Sequence, residues 1–212
     1  LASCGEDAPP TETMLEGTFT VPPDALPAGG ATDALGYLLW LPAGYDDPAR
    51  GPWPLLVSLH GAGDVDNDAA WVGSTGLPAA LHAGEVPDPF PYVVLAPRSV
   101  AGSPWSDQTE ALAALVTSVG NDFRIDPAAV VVTGVDTGAE GALVLAARHP
   151  DLVRAVLGVA TTVTRPLADA GLCGLEGVAV RLVHGRDDLV SPLATVRAEV
   201  GALEERCGFD VD

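Results

Sequence analysis

Hydrophobic residues along this chain fall into two kinds of segment. Short runs rich in valine, leucine and other apolar residues predict seven strands, at 16–21, 35–41, 54–60, 91–96, 129–133, 154–160 and 178–184. Longer segments with helical spacing predict helices at 107–121, 138–149 and about 191–206, the last with Ser191 as N-cap and Pro192 as first helical residue. Strands that alternate with helices predict an α/β fold, with a mostly parallel sheet and helices on both faces.

Composition and charge fit one domain of this class. The chain has 212 residues, 48% of them hydrophobic. Its mean hydropathy is +0.28, but no apolar run is long enough to span a membrane. Its 10 basic residues, all arginine, oppose 29 acidic ones, for a net charge of −19. Such a surface repels phosphate backbones, which excludes nucleic acid as a partner.

The first residues and the cysteines indicate export. The opening Leu1-Ala2-Ser3-Cys4 resembles a bacterial lipobox, in which Cys4 becomes the lipidated N-terminus. We expect residues 1–15 to be this remnant and a flexible tether, and residues 16–212 to form a single domain. Cys173 and Cys207 then remain, either as a disulfide or as two buried thiols. The expected protein is exported and meets the membrane only through a lipid anchor at Cys4.

Candidate chemistry lies where the predicted strands end. The strand at 129–133 runs into Gly134-Val135-Asp136-Thr137-Gly138 and then into a helix, which is the pattern of a nucleophile elbow. The glycines permit a tight turn that lifts the Asp136 side chain above the sheet. The strand at 54–60 leads into His60-Gly61-Ala62-Gly63, so the backbone N–H groups of Gly61, Ala62 and Thr137 are candidates for an oxyanion hole.

An acidic residue follows a late strand. The strand at 178–184 leads into "HGRDD", which places Asp188 where a catalytic acid orients a histidine. Together with "YLLWLPAGYD" at 37–46, "APRS" at 96–99 and "HPDLVRAVLGVA" at 149–160, these segments resemble the α/β-hydrolase superfamily from about residue 30 onward. Within it, the chain resembles secreted bacterial carboxylesterases of the polyhydroxybutyrate-depolymerase, feruloyl-esterase and phospholipase/carboxylesterase groups. The resemblance implies hydrolysis of a small-molecule or polymeric ester, with Asp136 and Asp188 at catalytic positions.

Two departures from these families bear on activity. The families have serine at the position of Asp136, and they supply a catalytic histidine after the last strand, whereas no histidine follows His184 here. We therefore expect the last strand and the histidine loop to be missing. The chain is then a catalytically impaired or ligand-binding relative of the carboxylesterases. Alternatives are a hydrolase with Asp136 as nucleophile, as in haloalkane dehalogenases and epoxide hydrolases, and a serine esterase altered at Asp136 and truncated.

The remaining polar and aromatic candidates have simpler interpretations. The histidines at 60, 82, 149 and 184 are expected to be structural or solvated. Asp64, Asp66 and Asp68 are spaced like a calcium loop but lack its later glycine and glutamate, so a solvated acidic loop is expected. Trp71 and Trp105 either line a substrate cleft or pack in the interior. No motif implies a metal or an organic cofactor.

Overall fold

The strands form one seven-stranded sheet in the order β1-β2-β4-β3-β5-β6-β7. In this computed structural model, residues 12–26, 33–61, 72–73, 75–100, 103–162 and 173–208 are described. The strands are β1 (Thr13–Thr20), β2 (Ala34–Leu41), β3 (Trp53–Leu59), β4 (Val93–Pro97), β5 (Ile125–Val135), β6 (Ala155–Val159) and β7 (Ala179–Val183). The β1–β2 and β2–β4 pairs are antiparallel, and the other pairs are parallel. The predicted mostly parallel sheet is confirmed.

All seven predicted strands form, with shifted ends. The first strand begins at Thr13, so the last residues of the stretch predicted as a tether belong to the sheet. Thr13 pairs with Leu41 and Leu15 with Leu39, which extends the antiparallel ladder past the predicted start. A sequence period of two cannot mark where a ladder stops, because the partner strand sets its length.

Within the described residues, four helices connect and cover the strands. They are α1 (Gly76–His82), α2 (Thr109–Asp122), α3 (Thr137–Arg148) and α4 (Leu193–Cys207), with short 3-10 turns at Pro23–Ala25 and Trp105–Gln108. Three were predicted, and α1 was not, because Gly76 and Pro78 disfavour a helix. The predicted cap of α4 is wrong: Pro192 is the N-cap, and its carbonyl accepts from the Thr195 N–H at 2.8 Å.

One face of the sheet carries the main core. Helix α2 buries Leu112, Leu115 and Val116 on the single face that the sequence predicted. Helix α3 lies beside it and buries nearly its whole length, from Gly138 to Ala147. The strands supply every second residue to this core, so that Leu55, Val57 and Leu59 of β3 are all buried.

The opposite face is covered unevenly. Leu81 of α1 packs there against Trp40 and Val94, whose side chains point away from the main core because they alternate along the strands with residues that face it. Further along the sheet, Val135, Leu157 and Val183 on this face are 36 to 51% exposed. Helices therefore lie on both faces, as predicted, and the described helix on this second face lies over the β2–β4 side.

A disulfide connects α4 to the segment before β7. Cys173 and Cys207 are joined, with their Cα atoms 5.1 Å apart. Of the two arrangements open from the sequence, the structure therefore has the disulfide, which is typical of oxidising compartments. Among the described residues, no helix is both long and apolar enough to cross a membrane.

Candidate functional site

The loops that carry the candidate residues gather at one edge of the sheet. β3, β5, β6 and β7 are parallel, so the residues that follow them, including Gly61, Asp136 and Asp188, emerge at the same carboxyl edge. In open α/β sheets, ligands bind at this edge. The topology therefore places the predicted elbow, oxyanion loop and acid loop on a common edge.

Asp136 occupies a strained turn between β5 and α3. Its φ of 54° and ψ of −122° lie outside the conformations that residues with a side chain normally adopt. The turn is held by backbone hydrogen bonds: the Asp136 N–H donates to the Val159 carbonyl at 2.9 Å, and the Asp136 carbonyl accepts from Ala139 at 3.0 Å. Such strain costs about 1–3 kcal/mol and is typical of functional turns.

The two glycines of the elbow are required by close backbone packing. A Cβ on Gly134 would lie 2.3 Å from the Gly138 carbonyl carbon, so the strand and the helix could not approach each other. A Cβ on Gly138 would lie 2.3 Å from the Leu59 carbonyl oxygen and 2.5 Å from that of His60. The glycine spacing predicted this turn. In the structure, glycine is required at both positions because a Cβ would collide with backbone, both within the turn and at the end of β3.

Gly61 lies directly against the elbow. A Cβ built on Gly61 would be 3.4 Å from the Val135 carbonyl oxygen and 3.8 Å from Asp136 Oδ2. Thr137 is the first residue of α3, and a first-turn N–H has no partner within its own helix. The predicted oxyanion donors Gly61 and Thr137 thus both adjoin Asp136, whereas Ala62 lies outside the described residues.

The Asp136 carboxylate changes what this turn can bind. A helix N-terminus favours an anion, and here the protein itself supplies one at that position. A carbonyl oxygen that gains negative charge during acyl transfer would be repelled by a carboxylate beside it. The geometry therefore belongs to an elbow, while the charge opposes the reaction for which an oxyanion hole is suited.

Asp188 organises its own loop. Its Oδ1 accepts hydrogen bonds from the Val190 N–H at 2.8 Å and the Ser191 N–H at 2.9 Å. These hydrogen bonds, the one from Ser191 first, lower the pKa of the Asp188 carboxyl below its ordinary value. Its Oδ2 lies 3.6 Å from His184 Nε2, which is also 2.6 Å from the Ser191 carbonyl. The Asp188 carboxylate is therefore favoured in its ionised form, and it lies beside His184 of the same loop.

The ring nitrogens of His60 are engaged by the backbone. Nδ1 is 3.0 Å from the Gly61 carbonyl oxygen, and Nε2 accepts from the Ser99 N–H at 3.1 Å. These partners assign the proton to Nδ1, because a carbonyl accepts and an N–H donates. His60 therefore holds the loops after β3 and β4, which is the structural role expected for it.

The other two histidines lie at helix ends. His149 is the C-cap of α3, and its Nε2 lies 3.2 Å from Glu110 Oε1. His82 is exposed at the end of α1. Together with the contacts of His60 and His184, these positions give each described histidine a structural or solvated role.

Trp105 packs in the interior and lines no cleft. Its side chain is 2% exposed, its Nε1 donates to the His60 carbonyl at 2.9 Å, and its ring meets that of His60 edge-on. Gly141 lies against it, since a Cβ there would be 2.3 Å from the Trp105 Cβ. Of the two roles left open for Trp105, the structure favours packing in the interior. Trp71, Cys4 and the acidic run at 64–68 lie outside the described residues.

A cavity beside the elbow was not predicted. It has a volume of about 300 Å³ and lies between α1 and the carboxyl ends of β3 and β5. Its wall is largely apolar, with hydroxyl groups from three residues: it is lined by Ser58, Leu59, His60, Gly61, Val72, Thr75, Gly76, Leu77, Pro78, Thr133, Gly134 and Val135. Sequence analysis missed it because α1, which forms one wall, carries no clear helical signal.

Solved esterases have the same fold. A thermostable esterase is 22% identical with a TM-score of 0.68, over 93% of this chain and 52% of its own, so this chain spans about half its length. A ferulic acid esterase is 15% identical with a TM-score of 0.65, over 95% of this chain and 88% of its own. The feruloyl esterase module from Clostridium thermocellum, complexed with sinapinate, is 16% identical with a TM-score of 0.67, over 96% of this chain and 76% of its own.

These likenesses establish the fold predicted from the sequence. The open, mostly parallel seven-stranded sheet with helices on both faces is an α/β-hydrolase fold. No protein-family profile and no curated protein matches the sequence. At the identities found, the likeness extends to architecture, and the chemistry has to be argued from this chain's own residues.

Proposed function

We propose that this chain is an exported relative of the carboxylesterases that binds a ligand at its elbow and hydrolyses esters poorly or not at all. One observation carries the proposal: an α/β-hydrolase elbow, with the strained backbone and paired glycines of the fold, presents the carboxylate of Asp136. The Asp136 carboxylate occupies the position of the reacting group in this fold, but it cannot react as a serine hydroxyl does.

The reaction of a carboxylate with an ester explains the expected loss. Attack of Asp136 on an acyl carbon would form a mixed anhydride, which is higher in energy than the ester. Both ring nitrogens of His60 are engaged by backbone groups, and His184 Nε2 lies 2.6 Å from the Ser191 carbonyl. Neither arrangement is that of the base that a serine mechanism needs. Loss of the nucleophile in a serine hydrolase costs on the order of 10⁶ in rate.

An elbow carboxylate also supports a second chemistry. In dehalogenase-like and epoxide-hydrolase-like enzymes, an aspartate at this turn attacks an alkyl carbon and displaces halide or opens the epoxide ring. A histidine-activated water then hydrolyses the ester so formed, which releases the alcohol and restores the carboxylate. The geometry of Asp136 is compatible with the first of these steps. This candidate predicts turnover of alkyl halides or epoxides that depends on the Asp136 carboxylate.

Three proteins separate these possibilities: wild type, Asp136→Asn and Asp136→Ser. Each is assayed with a short-chain p-nitrophenyl ester, methyl ferulate, a bromoalkane and an epoxide. We expect wild type to turn over none of them faster than Asp136→Asn does. Ester turnover gained by Asp136→Ser would identify this side chain as the difference from a working esterase. Wild-type turnover of any substrate that Asp136→Asn abolishes would contradict the proposal and establish Asp136 as a nucleophile.

Export is proposed on separate grounds. The Cys173–Cys207 disulfide fits an oxidising compartment, and the lipobox-like start supports a lipid anchor at Cys4. Expression of the full-length gene in a bacterial host, followed by mass spectrometry of the N-terminal peptide, tests the anchor. A diacylglycerol-modified Cys4 is the expected result, and an unmodified peptide that starts upstream of Cys4 would contradict it.

A further inference from the structure

The cavity and the elbow carboxylate form one composite site. Gly61 lines the cavity and also lies against Asp136, whose Oδ2 would be 3.8 Å from a Cβ on that glycine. Val135, the residue before Asp136, lines the cavity as well. An apolar cavity with two lining residues that adjoin a carboxylate is suited to distinguish ligands by charge.

We infer that this site binds a small ligand that combines an apolar group with an ammonium group, in preference to the carboxylic acids and esters of ordinary esterases. The inference rests on the proposed function, because it takes Asp136 as part of a binding site. It goes further by naming the chemical class of the ligand, and its test uses compounds that contain no ester.

The size and lining of the cavity specify the apolar part. A volume of about 300 Å³ lies at the lower end of the range for small-molecule sites. Leu59, Leu77 and Pro78 supply apolar wall, so a single aromatic ring or a short alkyl chain fits better than a long acyl chain. The hydroxyl-bearing residues Ser58 and Thr133 lie in the same wall.

The charge around the site specifies the polar part. An anionic ligand head at the elbow would meet the Asp136 carboxylate in the place where a helix N-terminus would otherwise attract it. An ammonium group there forms a charge-assisted hydrogen bond with that carboxylate instead. The net charge of −19 adds a long-range field that attracts cations and repels anions.

Three phenyl compounds of similar size test this discrimination: phenethylamine, phenethyl alcohol and hydrocinnamate. Titration calorimetry with the full chain is expected to show phenethylamine binding at least about tenfold more tightly than hydrocinnamate. Asp136→Asn should weaken phenethylamine binding roughly tenfold and leave phenethyl alcohol within about twofold, because it removes the charge and keeps the shape.

Matched variants control for general charge and for location. Asp187→Asn makes the same change in net charge on the exposed acid loop and should leave all three affinities unchanged. Val135→Trp should weaken phenethylamine and phenethyl alcohol alike by filling the cavity. Val183→Trp makes the same substitution on the same sheet face at a similarly exposed residue, two strands away and outside the cavity wall, and should leave binding intact.

The inference is overturned if hydrocinnamate binds as tightly as phenethylamine, if neither binds, or if Asp187→Asn reproduces the effect of Asp136→Asn. Its failure is distinguishable from failure of the proposed function, which is decided by turnover of the ester, bromoalkane and epoxide substrates. A wild-type protein that hydrolyses esters yet prefers phenethylamine would refute the proposed function and keep the ligand class. A wild-type protein that hydrolyses no ester and shows no preference for phenethylamine would keep the proposed function and refute the ligand class.

Discussion

Replacing Gly138 by alanine tests the claim that backbone contact, rather than local turn preference, requires glycine in the elbow. The new Cβ would lie 2.3 Å from the Leu59 carbonyl oxygen, whereas ordinary contacts begin near 3.4 Å, so α3 or β3 must move by about 1 Å. Because the obstructing atoms belong to backbone, we place the cost at the upper end of overpacking, about 3 kcal/mol. The higher helix propensity of alanine offsets about 1 kcal/mol, which leaves a net loss of about 2 kcal/mol.

Gly201→Ala is the matched control. Gly201 is exposed in α4, and a Cβ there would have no atom within 4 Å, so the same substitution should stabilise the protein by about 0.5–1 kcal/mol. For a chain of this size, the two variants should then differ in Tm by about 5–12 °C. The measurement is thermal unfolding of the oxidised protein by calorimetry and circular dichroism. If Gly138→Ala melts within about 2 °C of Gly201→Ala, the packing argument is refuted.

Two further predictions concern the disulfide and the acid loop. The double variant Cys173→Ala/Cys207→Ala removes a cross-link with a sequence separation of 34 and should lower the free energy of unfolding by roughly 3–4 kcal/mol; an unchanged urea midpoint would argue against the cross-link. Because hydrogen bonds from Ser191 and Val190 lower the pKa of Asp188 on folding, their stabilisation is present above its unfolded-state pKa and is lost as the pH falls through its folded-state pKa. Carbon NMR should show the Asp188 carboxyl titrating at lower pH in the folded protein than in urea, and coincident midpoints would contradict this assignment.

Local signals accounted for the elements and for the elbow. The strands were predicted because each carries a compact apolar run, and α2 because its apolar residues recur at helical spacing. The turn at Asp136 was predicted because Gly134 and Gly138 stand at fixed short spacing around it between a strand and a helix. The acid at Asp188 was found in the same way, as a residue that follows a late strand.

The sequence left an outcome open, or predicted it wrongly, where contacts between distant parts of the chain decide it. Trp105 is buried because its indole N–H reaches the carbonyl of His60, 45 residues earlier, which no local pattern contains. Ser191 does not cap α4: Pro192 is the N-cap, and the backbone N–H of Ser191 donates to Asp188 in the preceding loop. Helix α1 forms despite Gly76 and Pro78, since Leu81 packs on the sheet, and tertiary packing outweighs weak propensity.

The amino-acid sequence by itself determined the fold class, the strained elbow and the identity of the group that the elbow presents. These are properties of short segments, in which hydrophobic period and glycine spacing act over a few residues. Only the tertiary structure decided that a cavity of about 300 Å³ is lined by Gly61 and Val135, which adjoin Asp136, and that the ring nitrogens of His60 are engaged by backbone. Those facts depend on how β3, β5 and α1 approach one another, and packing of distant segments is set by the whole chain.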